Sequence, residues 1–123
     1  MSFIDPATVG MLSTALDATA LRHKAIAQNI ANVNTPGYQR IGVSFEARLG
    51  ALRDMVRSGA TPSLASLRDV RPALELLGAP GETVALDMEM AALSENTLQQ
   101  QALLKVLNKH LAILSTAINE GKR

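Results

Sequence analysis

Apolar side chains recur at helical spacing near both ends of this chain, and the pattern breaks in between. From about residue 7 to residue 33, Leu12, Leu16, Thr19, His23, Ile26, Ile30 and Val33 alternate in steps of four and three. That spacing keeps them on one side of a helix, in a heptad repeat interrupted by the polar Thr19 and His23. Alanines crowd around the stripe and are small enough to let a second helix come close. Asp5 and Pro6 suit the first turn, one as a cap and one as a residue whose missing amide hydrogen costs little there. The C-terminal third carries the longer pattern: Leu86, Met90, Leu93, Thr97, Gln100, Leu104, Leu107, Leu111, Leu114 and Ile118 keep the same alternation without a slip. It predicts a helix over about 85–119, roughly 50 Å long. Thr83 is its expected cap, and Asp87 and Glu89 are expected to be solvated in its first turn, where the helix dipole favours negative charge. Such a helix outruns the N-terminal one. The apolar edge left over calls for other subunits.

Between the two stripes the signals change. Asn32, Asn34 and Thr35 are poor interior helix residues and Pro36-Gly37 marks a turn, so the first helix should stop just after Val33. Tyr38, Ile41, Val43 and Phe45 are irregularly spaced and make at best a short extended segment. Phe45, Leu49, Leu52 and Val56 share one helical face and predict a short helix over 45–57. Across 58–83, recurrent Ser, Pro and Gly break every period, and the stretch reads as a variable connection without a core of its own. The expected fold is all-α, an elongated antiparallel pairing of the N- and C-terminal helices with an irregular, partly extended middle. One unit should span 1–123, with the N-terminal helix at 6–34, the turn and variable middle at 35–83 and the C-terminal helix at 84–120.

Composition changes the functional picture more than the fold. Twelve Lys plus Arg against eleven Asp plus Glu give a formal charge of +1 over 123 residues. Nucleic-acid binding rests on concentrated positive charge, so it is not expected; Arg22, Lys24 and Arg40, and the pair Lys105 and Lys109, read as ordinary surface charge. The chain has no cysteine, which excludes disulfides, thiolate metal sites and cysteine nucleophiles. His23 and His110 lack acidic or histidine partners at metal-binding helical spacing. His23 reads instead as an interface or capped core position. The serines have no nucleophile-elbow setting and the glycines form no phosphate loop. No enzyme activity, cofactor or metal is therefore expected. No apolar window reaches the length of about eighteen residues that a membrane span needs, and Met1–Pro6 lacks the basic start of a cleaved signal peptide.

One polar run remains unexplained by these patterns: Asn29-Ile30-Ala31-Asn32-Val33-Asn34-Thr35-Pro36-Gly37-Tyr38. Asparagines can satisfy the last free carbonyls of a helix and shape the exit. The run is either an elaborate helix end or a specified junction between a packing helix and an outward extension, and physical chemistry leaves both open.

The same run resembles the Asn-Ile-Ala-Asn-x-Asn-Thr-Pro-Gly-Tyr signature of the bacterial flagellar rod and hook proteins. Val43-Ser44-Phe45-Glu46 is similar to the Phe-Glu element that follows it in a short proximal rod subunit, and Val84 to Asn96 is similar to that subunit's entry to its last helix. Gln100 stands where relatives often carry an aromatic residue. Residues 47–83 leave no room for the β-rich insertions of distal rod and hook relatives. The resemblance implies a structural subunit of the proximal rod, exported from the cytoplasm without a cleaved signal peptide. It would assemble in the periplasm above the membrane ring into a hollow, torque-transmitting shaft. It implies as partners further copies of the chain, other proximal rod subunits, the rod-to-ring adaptor, and the membrane ring or export gate. Asn29, Asn32, Asn34, Thr35, Pro36, Gly37, Tyr38, Phe45 and Glu46 would form the family junction. Leu12, Leu16, Ile26 and Ile30 would pack at one end and Leu86, Met90, Leu93, Leu104, Leu107, Leu111, Leu114 and Ile118 at the other, so that a charge at Leu107 should block assembly. Another proximal rod subunit of the same family is the main alternative, and a soluble helical adaptor or export chaperone a further one.

Overall fold

A computed structural model describes residues 6–60 and 70–121 of the chain. Asp5, and the side chains of Leu52 and Val56, lie outside what it describes. In chain order the elements are α1 (Pro6–Ala31), β1 (Ile41–Ser44), α2 (Glu46–Arg57), β2 (Ala73–Leu76) and α3 (Leu86–Gly121). The architecture is a long antiparallel helix pair with a two-stranded sheet against α1, and a short helix after β1 whose Leu49 reaches the apolar cluster around Ala18. At about 1.5 Å per residue α1 spans about 39 Å and α3 about 54 Å.

Helix α1 ends at Ala31, two residues earlier than Val33, because its last amides bond back at mixed spacing. Asn32 N–H reaches the carbonyls of Gln28 and Asn29, and Val33 N–H that of Ile30. Tyr38 N–H then closes onto the Thr35 carbonyl at 3.2 Å. With Pro36 second and Gly37 third at φ +75°, this is a type II turn, whose third position requires a positive φ. It sends the chain back along α1 into β1.

The extended segment expected around Tyr38–Phe45 is a strand with a partner the sequence did not reveal. β1 pairs antiparallel with β2, Ile41 opposite Leu76 and Ser44 opposite Ala73. Leu77 N–H continues the ladder to the Arg40 carbonyl at 2.7 Å. Gly42 is buried beneath Leu77, whose Cδ1 would clash with any Cβ at this position, so only glycine fits here. The main apolar cluster joins Ala18 of α1, Phe45 and Val70, with Ala15, Val43 and Leu49 packed around it. Phe45 thus anchors the entry to α2, and Ala18 is small enough to let it reach α1.

The pairing of α1 with α3 is antiparallel: Asn29 meets Glu89, and Thr19 meets Asn96. Carried on at equal rise, those contacts bring the start of α1 level with about residues 109 to 112, so the last turns of α3 run past it. α3 begins at Leu86, and its first turn closes from Glu89 N–H to the Ala85 carbonyl, so Ala85 and not Thr83 stands at the boundary. Glu89 is not solvated as expected; it is 1% exposed.

The side of α3 turned toward α1 is not the apolar stripe read from the sequence. Glu89 and Asn96 are buried, and Leu103 and His110, seven and fourteen positions past Asn96, are half-buried. The stripe residues Met90, Thr97, Leu104 and Leu111 each follow one position later and are exposed. One residue along a helix is a rotation of about 100°, so the stripe lies on a flank of the contact. Leu93, Gln100 and Leu107 of the same stripe stand four positions past Glu89, Asn96 and Leu103, about 40° round the helix, and are half-buried.

Candidate functional site

The polar run at the end of α1 builds a junction centred on Asn29, which has no exposed surface. Its side-chain amide serves Ile41 twice: Nδ2 donates to the Ile41 carbonyl at 2.8 Å, and Oδ1 accepts from the Ile41 N–H at 2.9 Å. The side chain therefore replaces a strand partner at the start of β1. Oδ1 also accepts from the Tyr38 hydroxyl at 2.8 Å, and Nδ2 also donates to Glu89 Oε2 at 3.2 Å. One asparagine so ties together α1, the turn, β1 and α3, with each amide position used.

Glu89 is the second centre. Its Oε1 accepts from Arg40 Nε in an ion pair, and its Oε2 accepts from Asn29. A carboxylate so deeply buried is tolerable because it is both paired and hydrogen-bonded. The Arg40 side chain is 44% exposed, so the guanidinium keeps part of its hydration while it neutralises Glu89. Tyr38 is affected: burial, and secondly the Glu89 charge, push its hydroxyl above its ordinary pKa of 10.0. The phenol stays protonated, which is the form that donates to Asn29.

The remaining motif residues divide by role. Asn32 Nδ2 donates to the Gln28 carbonyl at 2.8 Å, a true helix-end contact, and Thr35 Oγ1 donates to Asn32 Oδ1 at 3.1 Å. Asn34, Pro36 and Gly37 are exposed in the turn. The run is thus a helix end at Asn32 and a junction at Asn29. Glu46 accepts from Arg22 at 2.6 Å, and Arg22 also donates to Gln99 Oε1 of α3 at 3.3 Å. Arg22 and Arg40, read from the sequence as ordinary surface charge, both hold elements together, whereas Lys24 is exposed. His23 is exposed too, outside the core. Further along, Asn96 Nδ2 donates to the Thr19 carbonyl at 2.9 Å, and Thr19 Oγ1 bonds to the Leu16 carbonyl.

Sequence reading missed Glu89, Arg40, Arg22 and Asn96. A signal for two of them existed: Glu89, Asn96, Leu103 and His110 recur every seven residues, one place before the apolar stripe.

Of the expected packing residues, Ile26 is buried and Leu12, Leu16, Ile30, Leu93 and Leu107 are half-buried. Leu86, Met90, Leu104, Leu111, Leu114 and Ile118 are exposed, Met90 by 55% and Ile118 by 51%. Met88, Leu98, Val106 and Ile113 are exposed on other sides of the same helix. Scattered apolar residues on a surface are ordinary, but ten on one helix describe a surface suited to protein contact.

Residues 11–39, which run from α1 through the Asn29 junction to just past Tyr38, match the family model described as flagella basal body rod protein. Over most of its length the chain is similar to proteins named flagellar basal body rod protein FlgB. The Cereibacter sphaeroides protein is 32% identical over 123 residues, covering 89% of this chain and 92% of its own. That of Salmonella typhimurium is 31% identical, covering 87% and 89%. The chain belongs to the FlgB family of flagellar rod proteins. The Bacillus subtilis family member, 29% identical, covers 94% of this chain and 95% of its own. Similarity within the FlgB family therefore takes in α3 and its exposed apolar side as well as the junction. Among the described residues of this rod-family chain, no three His, Asp or Glu side chains come together as a metal site, and no helix is long and apolar enough to cross a membrane.

Proposed function

We propose that the chain is a structural, non-catalytic subunit of the proximal rod of the bacterial flagellum, part of the hollow shaft that transmits torque. The observation that carries this is the likeness to FlgB proteins at up to 32% identity across nearly the whole chain. The exposed apolar side of α3 supports it, since a subunit of a shaft must offer surfaces that a monomer leaves open. The whole chain acts as one rod unit of helix, variable middle and helix. The junction at Asn29, Tyr38, Arg40 and Glu89 fixes how the two helices meet. The exposed leucines of α3 face neighbours. Those neighbours are further copies, other proximal rod subunits, the rod-to-ring adaptor, and the ring or export gate beneath. The chain works in the periplasm after export from the cytoplasm. Similarity at both ends to proteins bearing the FlgB name favours that rod position over another proximal subunit.

Electron imaging of basal bodies from a strain lacking only this gene tests the reading. Membrane rings without a rod, restored by the wild-type gene, are expected. Intact rods in the deletion strain would reject it.

A further inference from the structure

The small sheet ends on a strand whose outer edge is bare. Leu77 N–H bonds to the Arg40 carbonyl, while the N–H and C=O of Ile41 turn the other way, to Asn29. An antiparallel ladder alternates. In β2, therefore, Ala73, Glu75 and Leu77 bond inward to β1, and Leu74 and Leu76 aim their N–H and C=O groups outward. Among the described residues no third strand adjoins β2, and none bonds to those four groups. The side chains there are apolar as well. Leu74 lies opposite Val43 and Leu76 opposite Ile41, so all four share one face. Val43 packs on the cluster around Ala18, but Leu74 and Leu76, farther out, are 53% and 66% exposed. Glu75 is exposed on the opposite face, without an ion-pair partner among the described residues.

We propose that the outer edge of β2 takes up an added β-strand from a different protein, an extended segment in which two apolar residues flank a lysine or arginine. This rests on the rod-subunit reading for where that protein is met, as a shaft subunit of another kind, and not for the site itself. Backbone groups hold such a strand and side chains choose it. The two residues opposite Leu74 and Leu76 cover the exposed leucines, and the one between them stands opposite Glu75. A basic residue there pairs with Glu75, and an acidic one is repelled.

A second copy is the wrong occupant. Asn29 already fills the edge of β1 at Ile41, so the edge a copy offers is β2 again. Two copies of β2 set antiparallel with Leu74 opposite Leu76 bring Glu75 against Glu75, like charges in direct opposition. With Leu74 opposite Leu74, Leu76 meets Pro72, which has no N–H to give. With Leu76 opposite Leu76, Leu74 meets Gly78, whose carbonyl accepts from Gln39 Nε2 at 3.2 Å.

Two peptides test the proposal on the purified full chain: acetyl-Thr-Val-Lys-Val-Thr-amide, and the same with Glu in place of Lys. The readout is amide-proton NMR. The Lys peptide should move the Leu74 and Leu76 amide signals downfield as those groups gain acceptors. It should bind about two- to fivefold more tightly than the Glu peptide, the scale of one cross-strand charge pair. Glu75→Lys should reverse that order. No shift at Leu74 and Leu76 with either peptide at millimolar concentration overturns the proposal. An order that Glu75→Lys leaves unreversed overturns the charge match that selects the occupant. Leu76→Pro removes one outward N–H and leaves the inward bonds of Ala73, Glu75 and Leu77 in place, so it should weaken the peptide roughly tenfold; Leu76→Val keeps the N–H and should bind as wild type does. A folded Leu76→Pro chain that binds like wild type overturns strand addition. If that variant does not fold, the comparison of peptides on wild type and Glu75→Lys decides. Self-association of the peptide-free chain that protects the same two amides would make a second copy the occupant and overturn the proposal too. In the deletion strain Leu76→Val should restore rods and Leu76→Pro should not; rods at wild-type abundance from Leu76→Pro would leave this edge open in the shaft and overturn the proposal there. The peptide measurements do not involve the shaft, so their failure is the failure of strand addition alone. Intact rods in the deletion strain with peptide binding retained would reject only the rod-subunit reading.

Discussion

In the first half of α3, two polar side chains turn inward and three large apolar ones outward. Glu89 and Asn96 are buried, while Met88, Met90 and Leu98 are exposed. Around the middle of α1 the usual arrangement holds, with Ala18, Phe45 and Val70 enclosed. The two regions do different work. The apolar cluster stabilises by removing surface from water and tolerates rearrangement. In the polar contact the amide of Asn29 and the carboxylate of Glu89 are fully paired, while Asn96 Oδ1 is buried without a partner, so it is the Asn29–Glu89 pairing that fixes how α1, β1 and α3 meet. By holding α3 through Glu89 and Asn96, the fold leaves Met88, Met90 and Leu98 for contacts outside the chain.

The comparison breaks first, and most heavily, at Arg40. Replacing Arg40 by Met removes the cation while the Glu89 carboxylate stays buried, with Asn29 as its remaining partner. A destabilisation of about 3–5 kcal/mol is expected, the scale for a buried charge left unpaired. Chemical denaturation of the purified chain checks it. A loss below about 1 kcal/mol would mean that Glu89 finds water instead, and that the junction is not a closed polar core.

A smaller effect is expected at Tyr38. Tyr38→Phe deletes the hydroxyl that donates to Asn29 Oδ1, at a cost of about 0.5–1.5 kcal/mol. The sharper reading comes from pH. The folded pKa of Tyr38 lies above the unfolded value of 10.0, because burial and the Glu89 charge both oppose the phenolate. The unfolded chain therefore gives up this proton first as pH rises. The stability tied to it is complete below about pH 10 and is lost as pH climbs through the folded pKa. Wild type should lose more stability than Tyr38→Phe over that alkaline window. Parallel curves for the two proteins would place Tyr38 outside the polar contact.

Much of the fold was legible because its signals are local. The heptads marked α1 and α3, Pro36-Gly37 marked the turn, and the shared face of Phe45 and Leu49 marked α2. The strand pair was half visible. β1 has the alternation of Ile41 and Val43, but β2 reads Ala-Leu-Glu-Leu, a sequence of helix-favouring residues that becomes a strand through its pairing with β1. The junction was legible as an unusual run of asparagines and not as a contact, since Glu89 is sixty residues from Asn29 and an acidic residue in a first helical turn has an ordinary explanation in the dipole. The rotation of α3 was the least visible feature. A sequence stripe shows which residues seek apolar surroundings, and nothing in its period says whether those come from the same chain or from a neighbour.

The smallest effect on the monomer is expected at the exposed stripe. Leu107, the position first singled out for a charge, is half-buried and lies on the same side of α3 as Leu103, so a charge there would disturb α1 contacts as well as assembly. Leu104 and Leu111 separate the two. Both are exposed, by 43% and 47%, and Leu104→Asp removes no enclosed contact of the Asn29 junction. Stability of the isolated chain should change by less than about 0.5 kcal/mol, the usual range for surface substitutions. In an assembly that seats Leu104 against a neighbour, the same aspartate would be desolvated without a partner, and rods should be absent from basal bodies. If Leu104→Asp leaves rods at wild-type abundance, this flank of α3 is solvent in the shaft as well as in the monomer, and the inversion of polar and apolar sides in α3 has no role in assembly there. If the isolated variant is instead strongly destabilised, the stripe already packs within the chain, and the contrast between an inner polar contact and an outer apolar one dissolves from the other side.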